Sequence, residues 1–227
     1  HVLSGSIAKS FAGRRYMIDS GFDPAKLRVV PNAVEVPPSV PPRLETDEVR
    51  VLMVGRFVDQ KDYETGIRAV ATAVGRLAPD CQLRLTVVGH GPLEEQVREW
   101  ARAYDIDGST EFQIDPDDLA RHYAEADIYL NSSRFEGLSN SIMEAMSYAL
   151  PVVATDVGDS AVLVKEKTGL LAPRGDAEAL SRGLERLARS PALRAEMGQA
   201  GREHMQAEYS FERFTGRYLA VVEELRG

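Results

Sequence analysis

Two runs of apolar residues organise the chain. Residues 49–55 (VRVLMVG) and 83–89 (LRLTVVG) are short, rich in β-branched side chains and closed by glycine. Strands buried on both faces of a parallel sheet have this character. Each run precedes a segment, 63–77 and then 93–104, in which apolar residues recur at helical spacing. Residues 111–114, 127–130 and 152–154 extend the strand series, with helices expected near 117–125 and 141–148. From Asp176 the pattern is helical throughout, over 180–188, 192–205 and 211–225, punctuated by Pro191 and by Tyr209-Ser210. Strands alternating with helices predict an α/β fold: a doubly wound parallel sheet of Rossmann-like type, with extra C-terminal helices. In such a sheet ligands bind beyond the carboxyl ends of the strands.

The proline-rich stretch 36–42 (VPPSVPP) suits neither regular element and reads as a linker, setting residues 1–43 apart from a core domain at 44–208 and a terminal helix at 209–227. Gly89-His90-Gly91-Pro92 reads as a tight turn with proline at the first helical position. A formal net charge of -8 argues against a nucleic-acid partner, which requires a basic face. The single cysteine, Cys81, has no partner for an internal disulfide and is expected to be buried or half-buried. No apolar run nears the ~20 residues of a membrane span, and the start lacks the pattern of a secretory leader, so a cytoplasmic location is expected.

Candidate chemistry lies just after the strands. In Arg134-to-Met146 (RFEGLSNSIMEAM), Glu136 and Glu144 flank a glycine turn that leads into a helix. Glutamates at this spacing are common on solvated helices, but Glu136 follows the apolar run DIYLN closely enough to sit at the ligand edge of the sheet. Gly137 permits a close approach of backbone. Ser139 or Asn140 is expected to cap the helix, whose start then offers N–H groups and a positive dipole end to an anion. Gly55-Arg56 and Lys61 place two cations after the first strand, a planar fork and a mobile point charge suited to phosphate. Two D-x-D strings, at 105–107 and 115–117, are better explained by a helix-to-strand turn and by a helix start at Asp115-Pro116. The four histidines show no ligand spacing, and no metal site is expected.

The stretch EGLSNSIMEAMSYALPVVATDVGD is similar to the E-x7-E region of retaining glycosyltransferases of the GT-B fold, family 4. The resemblance runs from about Val29 to the C-terminus. It implies that Glu136 contacts the donor sugar and Glu144 the ribose. It implies further that Gly137, Leu138, Ser139 and Asn140 hold the diphosphate through backbone groups, and that Arg56 and Lys61 neutralise the leaving group beside Gly55. Gly91, or His90, would border the donor, and Ile114 and Leu119 would pack on the base. The donor would be a nucleoside-diphosphate sugar, UDP- or GDP-linked rather than ADP-linked, with no further cofactor.

The acceptor implied is a glycan or glycolipid, with peripheral association at the inner face of a membrane. The family's common glycines are replaced here by Ala33 and Asp159. On this likeness residues 1–43 are the remnant of an acceptor-binding N-terminal domain that is otherwise missing. The chain is then expected to bind donor and transfer sugar poorly. Its last helix would pack back on that missing domain, fold onto its own domain or form a homodimer. Two other readings remain open: a sugar-nucleotide epimerase, and a non-catalytic nucleotide-sugar-binding or assembly module.

Overall fold

A computed structural model describes residues 5–43 and 48–226. His1, Gly227 and the expected domain boundary at residue 44 lie outside the described residues. A small parallel pair, β1 (Ser6–Ala8) and β2 (Leu27–Val29), brackets helix α1 (Phe11–Asp19). The main sheet comprises β3 (Glu48–Val54), β4 (Gln82–Val88), β5 (Thr110–Gln113), β6 (Ile128–Asn131), β7 (Val152–Thr155) and β8 (Gly169–Ala172). All its pairings are parallel, in the order β5-β4-β3-β6-β7-β8. The order reverses between β3 and β6, which makes the crevice beyond their carboxyl ends the expected ligand site.

The strands carry a core on each face. Val49, Val51 and Met53 of β3 pack with Ile67, Val70 and Leu77 of α2 (Tyr63–Leu77), in a layer that includes α3 (Glu94–Ala103) and α7 (Ala177–Ala188). Leu52 points the other way, into a layer built by α4 (Leu119–Glu125), α5 (Asn140–Ser147) and α8 (Pro191–Glu208). Each fully buried Leu, Ile or Val contributes about 1.5–3 kcal/mol by leaving water. Two-sided burial is why β3 is legible as a nearly continuous apolar run, whereas β4 keeps Arg84 exposed between buried Leu83 and Leu85.

Several expectations need correction. β8 was not anticipated, since GLLA is four residues long with no β-branched side chain. α4 starts at Leu119 rather than near 117, and Asp118, not Asp115, is its cap: the Asp118 carboxylate accepts from the Arg121 N–H at 3.1 Å, while Asp115 is left-handed at φ 44°. α3 opens at Glu94, so Pro92 lies in the preceding turn rather than at the first helical position. Cys81 is half-buried. No described helix is long and apolar enough to cross a membrane.

Asp159 ties the first segment to the domain. It is 1% exposed, and its two oxygens accept from the Ala12 N–H at the start of α1 at 2.9 and 3.1 Å. It sits between β7 and the short helix α6 (Ser160–Leu163). At the other end of the segment, Arg28 of β2 pairs with Glu224 of α9 (Phe211–Arg226), and Leu225 packs over Gly5. Asp159→Ala leaves the Ala12 N–H without its acceptor, and is expected to destabilise the protein by about 1–3 kcal/mol. Hydrogen exchange at Ala12 and Gly13 should speed up in the variant; unchanged exchange would show that other contacts hold α1.

Candidate functional site

The site is assembled from two loops that leave adjacent strands at the switch point. The β3 loop carries Arg56 and Lys61. It is fixed by Phe57, fully buried, whose N–H donates to the His90 carbonyl at 2.7 Å and whose own carbonyl accepts from Leu93 at 3.1 Å. Gly91 makes this contact possible: at φ 152°, a Cβ there would lie 2.6 Å from the Phe57 carbonyl oxygen. Its glycine is thus accounted for by the loop that bears Arg56. Gly55 in turn donates its N–H to the Val88 carbonyl at 3.0 Å. Arg56 is exposed, and among the described residues its guanidinium has no hydrogen bond or ion pair.

Lys61 is held in place by the residue after it. Asp62 is buried in a left-handed conformation, φ 47°, which aspartate tolerates better than most residues. Its carboxylate accepts from Thr65 at 2.9 Å and from Arg134 at 3.2 Å. The Lys61 ammonium reaches across to Glu136 Oε1 at 2.6 Å, with side-chain exposures of 18% and 8%. Ser133 donates to the same carboxylate oxygen at 2.8 Å.

Helix α5 begins four residues after Glu136. Ser139 occupies its cap position but does not cap it; its hydroxyl faces that of Ser141 at 3.3 Å. The expected side-chain cap is therefore absent, and the first-turn N–H groups are left to an outside acceptor. Three carbonyls at the far end of α5 are satisfied by cations: Arg43 donates to Tyr148 and Ala149 at 2.7 and 3.2 Å, and Arg202 to Ser147 at 2.6 Å. A helix compensated by positive charge at its C-terminus and open at its N-terminus is poised to take an anion there. Leu138 and Ser139 are buried beneath this start, while Gly137 and Asn140 are exposed.

One turn into α5, Glu144 lines a cavity of about 530 Å³ together with Asn140, Leu119, Tyr123 and Tyr148. Burial pushes its carboxyl above the usual carboxylate range, opposed by the Tyr123 hydroxyl, which donates to Oε2 at 2.7 Å, and by the charge of Lys61. Because folding raises this pKa, the group's contribution to stability is complete below the ordinary carboxylate range and is lost as pH rises through the raised value. The Tyr123 hydroxyl favours the ionised form, so its removal is felt most on the alkaline side. Tyr123→Phe is expected to cost about 1–3 kcal/mol at pH 8 and clearly less at pH 5, read by urea unfolding. Equal losses at both pH values would separate the hydroxyl from the carboxylate.

Leu119 is half-buried in this cavity, whereas Ile114 lies beyond the end of β5, is 38% exposed and does not line it. The His90 ring is exposed and bonded to Asp115. The structure thus brings Lys61, Glu136 and the α5 start together, and Glu144 with Leu119 and Asn140. Residue-type reasoning did not single out Ser132, Ser133, Asp62 or Tyr123. A run of three polar residues, Asn131 to Ser133, ending a strand expected to be buried was the available signal. Among the described residues no group of three or more His, Cys, Asp or Glu is placed to hold a metal ion.

A parallel sheet with this order, presenting its charged loops at the switch point, is a Rossmann-like domain of the GT-B glycosyltransferase architecture. Solved structures share it: a TarM variant from S. aureus superposes with a TM-score of 0.84 at 21% identity, covering 96% of this chain and 43% of that one. Sucrose-phosphate synthase from Thermosynechococcus elongatus gives 0.83 at 28% identity, covering 98% and 59%. The chain belongs to the family of group 1 glycosyl transferases, whose model matches residues 48–190.

Among curated relatives, the lipopolysaccharide core biosynthesis glycosyltransferase LpsE of Rhizobium meliloti is 30% identical over 173 residues, 76% of this chain and 49% of its own length. A GDP-mannose-dependent monoacylated alpha-(1-6)-phosphatidylinositol monomannoside mannosyltransferase of Corynebacterium glutamicum is 32% identical over 177 residues, 74% of this chain and 45% of its own length. The chain spans about half the length of these curated relatives.

Proposed function

We propose that this chain is the donor-binding domain of a retaining glycosyltransferase of family 4, taking a nucleoside-diphosphate sugar. The observation that carries the reading is the meeting of Lys61, Glu136 and the uncapped start of α5 at the switch point of the sheet. The diphosphate lies on the first-turn N–H groups of α5, within reach of Lys61 and the free guanidinium of Arg56. Glu144 accepts from the ribose hydroxyls and Glu136 from a hydroxyl of the sugar. A UDP- or GDP-linked donor is favoured over an ADP-linked one; the TarM variant was solved in complex with UDP, and the C. glutamicum relative is named for GDP-mannose. Glycan and glycolipid acceptors suit the names of the relatives.

In the reaction, the acceptor oxygen bonds to the anomeric carbon from the face that the phosphate leaves. The carbon–phosphate-oxygen bond breaks as this bond forms, and the acceptor proton passes to the departing phosphate oxygen. Negative charge grows on the diphosphate, and it is neutralised there by Arg56, by Lys61 as it turns from Glu136, and by the positive end of the α5 dipole. These groups do for the leaving group what a divalent cation does elsewhere, so the proposal is metal-independent. Acceptor binding is not assigned to these residues, and the chain alone is expected to transfer sugar weakly, since an unpositioned acceptor forfeits much of the rate.

Thermal unfolding with UDP, GDP and ADP and their common sugar conjugates, in the presence of EDTA, tests the reading. A ligand at 100 times its Kd stabilises by about 2.7 kcal/mol. One base should raise the midpoint of the wild type and leave Glu144→Ala unmoved. No shift with any of these nucleotides would refute a donor site.

A further inference from the structure

β6 ends at Asn131 and is followed by Ser132 and Ser133, three consecutive polar residues with exposures of 5%, 1% and 0%. Burying three such side chains in a row is unfavourable unless each has a partner, and each does. Asn131 Oδ1 accepts from the Ser133 N–H at 3.2 Å. The Ser132 hydroxyl is shared between the carbonyls of Lys61 and Asp62, at 3.0 and 2.9 Å. Thr155 on β7 donates to the Ser133 carbonyl at 2.6 Å. The backbone of Ser133 is thereby held on both sides, and its hydroxyl is aimed at Glu136.

Both donors to Glu136 meet the same oxygen. Oε1 accepts from Lys61 and from Ser133, and among the described residues Oε2 has no partner. This arrangement matters when the site fills, because Lys61 cannot serve Glu136 and a phosphate equally well. A lysine that turns to the donor's diphosphate leaves behind a carboxylate that is 8% exposed. From this geometry we infer that Ser133 is a positioning residue. Its hydroxyl retains Glu136 Oε1 as Lys61 transfers to phosphate, and so keeps Oε2 directed at the hydroxyl of the donor sugar. The inference rests on the donor reading above and deepens it. The resting ion pair is a placeholder for the ligand, and Ser133 is the part of the carboxylate's support that does not move.

The role predicts a selectivity that general support of the loop would not. Ser133→Ala should weaken binding of the sugar conjugate about tenfold and leave the sugar-free diphosphate within twofold of wild type. The probes are UDP against UDP-glucose and GDP against GDP-mannose, titrated calorimetrically. Unchanged binding of the diphosphate also shows that the variant is folded. Glu136→Ala should produce the same selectivity, and adding Ser133→Ala to it should cause no further loss. Equal weakening of both ligands, or no weakening of the conjugate, would overturn the positioning role. A wild-type protein that binds none of the four probes would instead refute the donor reading, and the positioning role with it.

Discussion

Lys61→Ala should lower both the stability of the fold and its affinity for a nucleoside diphosphate, whereas Arg56→Ala should lower the affinity alone. Lys61 and Glu136 face each other at 2.6 Å with little exposure, so removing the ammonium leaves a carboxylate that water reaches poorly. Breaking a buried pair from one side costs about 3–5 kcal/mol; with Ser133 still donating to the carboxylate, about 2–4 kcal/mol is expected here. Loss of a charged hydrogen bond to phosphate should raise Kd roughly a hundredfold, since each tenfold step is about 1.4 kcal/mol. Arg56 is exposed with no partner to abandon, and its removal should leave urea unfolding unchanged. A Lys61→Ala variant with the wild-type unfolding midpoint would contradict the ion pair described here.

Gly158→Ala is expected to have the largest effect of any single methyl group near the site. Gly158 is left-handed, φ 57°, and a Cβ on it would fall 1.7 Å from the Glu136 carbonyl oxygen and 2.7 Å from its carbon. The adjacent Asp159 N–H donates to the Gly137 carbonyl at 3.3 Å, so the two loops are in direct backbone contact. The left-handed conformation accounts for about 1–2 kcal/mol and the overlap for about 1–3 kcal/mol, roughly 2–5 kcal/mol together. The backbone of Glu136 must shift, and sugar-conjugate binding should be lost with it. Gly175→Ala is the control: it has φ 75° but nothing within 4 Å, and should lose only the conformational part. Equal destabilisation by the two substitutions, measured by urea unfolding, would mean that Gly158 does not press on the site.

These contrasts mark what a linear reading of the chain reaches. β3 was legible because its Val51-Leu52-Met53 run is buried on both faces, and β4 because its buried Leu83, Leu85, Val87 and Val88 write a short apolar, β-branched-rich run around an exposed Arg84. β8 has too few residues to write any pattern. α1 buries no residue, so the helical spacing that reveals α2 is missing from it. The individual charges at the site were legible because an α/β sheet puts its chemistry just after its strands. Their pairing was not: Lys61 and Glu136 are separated by 75 residues, and only the adjacency of β3 and β6 brings them together. Tyr123 and the role of Asp159 could not be read from the chain, since each acts through a hydrogen bond to a distant segment, and Ser133 matters only because Glu136, three residues on, is drawn to Lys61.

The central claim is that the switch point between β3 and β6 binds a nucleoside diphosphate through Arg56, Lys61 and an open helix start. Calorimetric titration with UDP and GDP in EDTA, on the wild type and on Arg56→Ala, tests it most directly. The account predicts saturable binding of one of the two to the wild type without metal, weakened at least tenfold in Arg56→Ala, with no change in the variant's unfolding. Absence of binding by the wild type, or affinity indifferent to Arg56, would contradict it.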